Sequence, residues 1–199
     1  AMVILLTLLL TGCTSLHSLQ GAKTLEPQTW EYAVGTSLQN NNALSSGLGV
    51  PVPQMTLAVR YGWKPKLDVG LQAYVGGGLV DMRYEFLTLD DWTLAIAPGI
   101  GGLYGGILGN VDLRIPVRAE KSLSDKWSMT IGVTPMTQHT FIWLPSANET
   151  LATPNIGTSI RMVRHRRRIN VGYTIDVNQN IGRGMPPLWS AGLDWSIQR

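Results

Sequence analysis

A single cysteine, three histidines and two phenylalanines are spread over 199 residues. One cysteine excludes a disulfide within the chain. Charge is scarce as well: 15% of residues are Asp, Glu, Lys or Arg, against 44% apolar residues. That is too little charge for the surface of an ordinary soluble domain. Long apolar runs are missing too. The clearest, Met2–Leu10, is interrupted by Thr7 and is too short to cross a bilayer as a helix. The net charge is only +3, and the basic residues form no continuous stripe, so nucleic acid is not an expected partner.

What is present is glycine, at 22 residues, and tryptophan, at seven. The length suits one domain. From Thr29 onward no long amphipathic helix pattern occurs. Segments of about ten residues alternate apolar and polar between turn residues. This predicts ten strands (eight remain possible) over 29–38, 55–62, 67–75, 79–87, 92–103, 108–119, 127–136, 156–164, 169–177 and 188–198. The fourth sets Val80, Met82, Tyr84 and Phe86 against Asp81, Arg83 and Glu85. The sixth sets Val111, Leu113, Ile115 and Val117 against Asp112, Arg114, Pro116 and Arg118. Three charges of one parity in a strand indicate a polar face and a wholly apolar one. A buried Arg or Lys on a lipid face costs about 2–4 kcal/mol at the bilayer midplane, so the apolar rows are the ones expected to meet lipid.

The connections alternate in length as well. Gly62–Lys66, Thr88–Asp91, Glu120–Lys126 and His165–Arg168 are short or moderate and fall on one side by strand count. The connections 39–54, 137–155 and 178–187 are long and fall on the other. Gly76-Gly77-Gly78 is short on the long side.

These features resemble bacterial outer-membrane β-barrels as a class, over residues 29–199. The resemblance implies an all-β, antiparallel transmembrane barrel with a narrow lumen, in which glycine lets strands bend and aromatic residues mark the membrane edges. The N-terminus resembles that of a bacterial lipoprotein. Leu10-Thr11-Gly12-Cys13 follows the apolar run as a lipobox follows the apolar core of a secretory signal. Residues 1–12 then read as a truncated signal sequence, Cys13 as the lipidated residue, and 13–28 as a periplasmic tether. Thr14, which is not Asp, points by analogy with lipoprotein sorting to the outer membrane, with the N-terminus in the periplasm.

On the lumen face the expected charges are Glu31, Arg60, Asp68, Asp81, Arg83, Glu85, Asp112, Arg114, Arg118, Arg161, Asp176 and Asp194. Charges inside a narrow barrel must be paired, so a network of ion pairs filling the lumen is expected. The outer loop 137–155 carries Phe141, Ile142, Trp143 and Leu144, expected to touch a partner or the membrane. Arg164, Arg166, Arg167 and Arg168 form a basic periplasmic turn, suited to anionic lipid head groups or an acidic partner. His139, near Thr137, Thr140 and Ser146, lacks an orienting acid fixed by the sequence, so no catalytic residue is assigned. Gly99-Ile100-Gly101-Gly102 imitates a dinucleotide loop without the strand–turn–helix it needs. No metal or cofactor is expected. The leading expectation is a non-enzymatic structural, anchoring or interaction component of the cell envelope. Its partners would be outer-membrane lipids and other envelope proteins. A narrow porin-like channel and a lipid-modifying hydrolase remain as alternatives.

Overall fold

The computed structural model describes residues 21–41, 50–74, 76–105, 108–142, 149–164, 167–176 and 189–199. Its strands in chain order are β1 (Trp30–Asn41), β2 (Val50–Lys64), β3 (Leu67–Tyr74), β4 (Gly77–Leu89), β5 (Trp92–Ile96), β6 (Gly99–Gly105), β7 (Leu108–Arg114), β8 (Val117–Ser122), β9 (Trp127–Ile142), β10 (Glu149–Arg164), β11 (Arg167–Asp176) and β12 (Trp189–Gln198). β5 and β6 are two halves of one strand, interrupted at Ala97-Pro98; β7 and β8 are interrupted in the same way at Ile115-Pro116. Among the described residues, ten strands therefore run around the wall. Each pairs antiparallel with its sequence neighbours, and β12 pairs with β1 from Glu31↔Gln198 to Gln39↔Ser190. The sheet closes on itself and leaves no free edge.

Side-chain parity decides what faces where. β4 alternates strictly, with Asp81, Arg83 and Glu85 buried and Val80, Met82, Tyr84 and Phe86 exposed. In β7 and β8, Asp112, Arg114, Arg118 and Glu120 are buried while Val111, Leu113 and Val117 are exposed. Asp68 and Asp112 are 0% exposed, whereas Leu57 on the outer row is 56% exposed. A water-soluble sandwich would show the reverse. Apolar outside and polar inside is the polarity of a barrel that spans a membrane.

Both ends of the wall can be told apart. One rim carries Trp30 and Arg199, whose backbones exchange two hydrogen bonds at 2.9 and 2.8 Å. It also carries the turns β2–β3, β4–β5, β8–β9 and β10–β11, the first two of only two residues. In these turns Lys66 (φ 64°) and Asp90 (φ 43°) take the left-handed conformation that tight hairpins require. The opposite rim receives the connections 42–49, 143–148 and 177–188 together with two short ones.

Strand ends on this second rim reach further than the alternation predicts. β9 continues to Ile142 and β10 begins at Glu149, paired from Glu149↔Thr140 to Met162↔Trp127. The expected loop 137–155 is thus largely strand, and only 143–148 connects. Four prolines lie on neighbouring strands in one line: Pro98, Pro116, Pro135 and Pro154, the last two directly opposite. Proline has no amide to give to the ladder. Its carbonyl is used instead: Met82 N donates to Pro98 O (3.0 Å), Ala97 N to Pro116 O (2.8 Å) and Ile115 N to Pro135 O (3.0 Å).

Candidate functional site

The lumen is where polar chemistry concentrates. Arg60 on β2 donates to both Asp68 on β3 and Asp81 on β4. Arg83, on β4, donates from Nε to Asp68 Oδ2 at 3.2 Å. Three adjacent strands are tied by one chain of charges. Gly70 makes this possible. It stands in register between Arg60 and Asp81, and a Cβ there would lie 2.7 Å from Asp81 Oδ1. The guanidinium crosses over the bare backbone. Further round the wall, Arg114 Nε donates to Asp112 Oδ1 at 2.8 Å. The two stand two residues apart on one strand and so share a face. Ion pairs removed from water are retained only when geometry and hydrogen bonds offset the loss of hydration, and here each carboxylate is met by at least one guanidinium.

Across the mouth of the lumen runs the segment just before β1. Leu25 N donates to Asp68 Oδ2 at 2.9 Å, Thr24 N and Oγ1 to Glu85 Oε2 at 3.2 and 3.1 Å, and Lys23 N to Glu120 Oε2 at 3.0 Å. Arg83 donates to the carbonyl of Gly21 at 2.8 Å. Three successive amides thus meet carboxylates from three strands. Ala22 and Leu25 are fully or almost fully buried (0% and 2% exposed). Gln28, at φ 64°, turns the chain into β1, donating its N–H to Gly62 O at 2.7 Å while Gly62 N donates to Thr29 O at 2.9 Å. Any side chain at Gly62 would run into the carbonyl of Glu26. Of the expected tether 13–28, residues 13–20 lie outside the described residues, while residues 21–27 are not free but an inserted segment docked within the rim carrying Trp30 and Arg199. Beside it remains an open cavity of ≈ 670 Å³, lined by Lys23, Glu26, Glu120, Asp125, Lys126 and Arg199 among others.

Of the expected lumen charges, Arg60, Asp68, Asp81, Arg83, Glu85, Asp112, Arg114 and Arg118 are buried in the interior. Glu31 is half-buried and accepts a hydrogen bond from Gln198 Nε2 at 3.2 Å. Asp194 is half-buried on β12. Arg161 stands opposite Ser128, and Asp176 opposite Asn155; these are lumen-row positions, and the two side chains lie outside the described residues. Sequence reasoning missed Glu120, assigning it to a turn. It is buried, accepts from Ser128 Oγ at 2.7 Å, and holds Lys23. Its parity with Arg118 was the available signal.

Two further expectations need correction. Phe141 and Ile142 are not loop residues but the end of β9, in register with Gly109 and Leu108. Trp143 and Leu144 lie outside the described residues. The basic run is mostly strand: Arg164 ends β10, Arg167 and Arg168 begin β11, and Arg164↔Arg167 is the last pair of their ladder. Arg166 and Cys13 lie outside the described residues. His139 is a β9 residue in register with Val111 and Thr150. Among the described residues, no three His, Cys, Asp or Glu side chains are grouped to hold a metal ion.

No protein-family model matches the chain, and no curated protein matches it in sequence. Solved structures of similar shape are found. Ail, the attachment invasion locus protein of Yersinia pestis, is 10% identical, with 87% of this chain and 100% of that chain covered and a TM-score of 0.42. Neisserial surface protein A is 9% identical over 85% and 95% of the two chains, with a TM-score of 0.42. The outer membrane protease OmpT of Escherichia coli is 8% identical over 89% and 98%, with a TM-score of 0.42.

Proposed function

We propose that the chain is a bacterial outer-membrane barrel lipoprotein whose lumen is permanently filled, and that it serves as a non-enzymatic structural or anchoring component of the envelope. The observation that carries this reading is the segment 21–27, held across the lumen mouth by Asp68, Arg83, Glu85 and Glu120. Above it the Arg60–Asp68–Asp81–Arg83 cluster occupies the interior. A conducting pore would need an open polar path, and both features oppose one. Lipid on Cys13 would fix the segment's start to the periplasmic leaflet, so that the barrel is anchored through its own stopper. Planar-bilayer recording tests the reading. The purified chain should insert without stable conductance steps. Reproducible single-channel steps from the unaltered chain would replace it with the narrow-channel alternative.

A further inference from the structure

Cations are distributed unevenly over this molecule, and the unevenness has a pattern on the outer wall. β5, β8, β9, β10 and β11 are consecutive in the wall. Near the rim that carries Arg199 their outward rows are apolar. There they end in Trp92 on β5, Lys121 on β8 and Trp127 on β9, and Arg164 and Arg167 hold the corresponding register positions on β10 and β11. The register makes these neighbours. Trp92 is directly opposite Lys121, Trp127 is opposite Met162, one outward position short of Arg164, and Arg164 is opposite Arg167. Exposed Val171 sets the outward parity of β11, and Arg167 shares it. No Asp or Glu stands on these rows between Trp92–Ile96, Val117–Lys121, Trp127–Val133, Ile160–Arg164 and Arg167–Val171.

Lys121 is the informative residue. Its Nζ lies 5.5 Å from the centroid of the Trp92 ring, a cation–π arrangement on the lipid-facing side of the wall. Trp92 and Trp127 are 40% and 47% exposed. Tryptophan on an outward row settles at the level of the head groups. A lysine held on that ring therefore presents its ammonium at the depth of the lipid phosphates. Across five strands spaced about 4.8 Å apart, the arc is about 19 Å wide, room for two phosphates side by side.

We propose that this arc, Trp92–Lys121–Trp127–Arg164–Arg167, is a binding site for the phosphodiester head group of anionic phospholipids. The proposal rests on the reading of the chain as a membrane barrel and names a lipid class for it. Attraction to a negative leaflet adds up over basic residues near its surface. Lipids with one phosphate and with two are both suitable sources of the ligand.

Native mass spectrometry of the full chain in a neutral detergent tests it, with added phosphatidylcholine, phosphatidylglycerol or cardiolipin. The unaltered chain should retain the two anionic lipids in preference to phosphatidylcholine. Cardiolipin held more tightly than phosphatidylglycerol identifies the two-phosphate source, and equal retention identifies the single phosphate as the recognised unit. Each cation removed should lower affinity about fivefold, so K121Q/R164Q/R167Q should lose on the order of a hundredfold. The double variant K64Q/K66Q, in the β2–β3 turn of the same rim, should stay within about twofold because salt screens its greater distance. Equal losses per cation removed in the two variants overturn the site in favour of diffuse rim charge. So does equal retention of all three lipids, or binding by the unaltered chain that is indifferent to salt, a test that needs no variant to fold. Gel migration before and after boiling separates the two levels of the argument. If the chain is heat-modifiable but not lipid-selective, only the site fails; if it is soluble without detergent and not heat-modifiable, the barrel reading fails with it.

Discussion

Arg83 stands directly opposite Asp68 in the β3–β4 ladder, and the same Asp68 oxygen that it holds also accepts the amide of Leu25. One carboxylate thereby joins the wall to the inserted segment. Arg83 reinforces the join by reaching the Gly21 carbonyl.

Asp68→Ala should be far more damaging than Lys66→Ala. The first leaves two buried guanidiniums, Arg60 and Arg83, short of a partner, a loss of about 3–5 kcal/mol. The second removes an exposed turn cation, worth well under about 1 kcal/mol. Urea midpoints of the folded barrel in lipid or detergent should separate the two variants clearly. Coincident midpoints would mean that the Asp68 cluster is not what holds the interior.

Gly62→Ala should loosen the inserted segment while leaving the wall closed. A methyl group at this position collides with the Glu26 carbonyl, which belongs to the segment. Trypsin should then cut after Lys23 faster than in the unaltered chain, with heat-modifiability retained. An unchanged cleavage rate would show that the segment's anchorage does not depend on its passage over Gly62.

Glu85→Gln combined with Glu120→Gln should have the same effect by another route. Each carboxylate receives a backbone amide of the segment, from Thr24 and Lys23. Neutralising an acceptor weakens such a bond, since bonds to a charged partner are about twice as strong. Protection of the Lys23 and Thr24 amides from hydrogen exchange should fall, and that of β1 should not. Full protection in the double variant would remove these bonds from the account of the plug.

Much of the wall was legible in the sequence. In β4 and β7–β8, three charges of one parity fix the register against lipid, because a single-residue slip would turn all of them outward. What escaped has physical reasons. The docking of 21–27 uses backbone amides, which every residue but proline possesses, so no side-chain pattern announces it. The ends of β9 and β10 near Pro135, Pro154 and Asn155 look like loop because proline and asparagine are poor strand residues. Pairing with an already ordered neighbour carries them on to Ile142 and Glu149. Glu120 was misassigned because a charge near a turn resembles a solvated one.

Cysteine scanning should read the orientation of the wall on whole cells. A cysteine replacing Ser146, in the connection 143–148, should react with an impermeant reagent. One replacing Ser124, in the β8–β9 turn on the rim with Arg199, should not. The reverse pattern would turn the barrel upside down and place the proposed lipid arc in the outer leaflet.

The prolines at 98, 116, 135 and 154 give the tube a mechanical direction. Along that line the ladder is held by carbonyls of proline and lacks amides from the same residues, whereas the β12–β1 seam pairs over nine positions, from Glu31 to Gln39, with no proline on either strand. A cylinder with one crease does not deform evenly. Squeezed by a change in lateral pressure, such a cylinder should ovalise about the crease, with the seam side moving as a plate. The crease ends on β4, where Met82 N meets Pro98 O between Asp81 and Arg83, so bilayer strain would fall on the strand that carries two charges of the interior cluster.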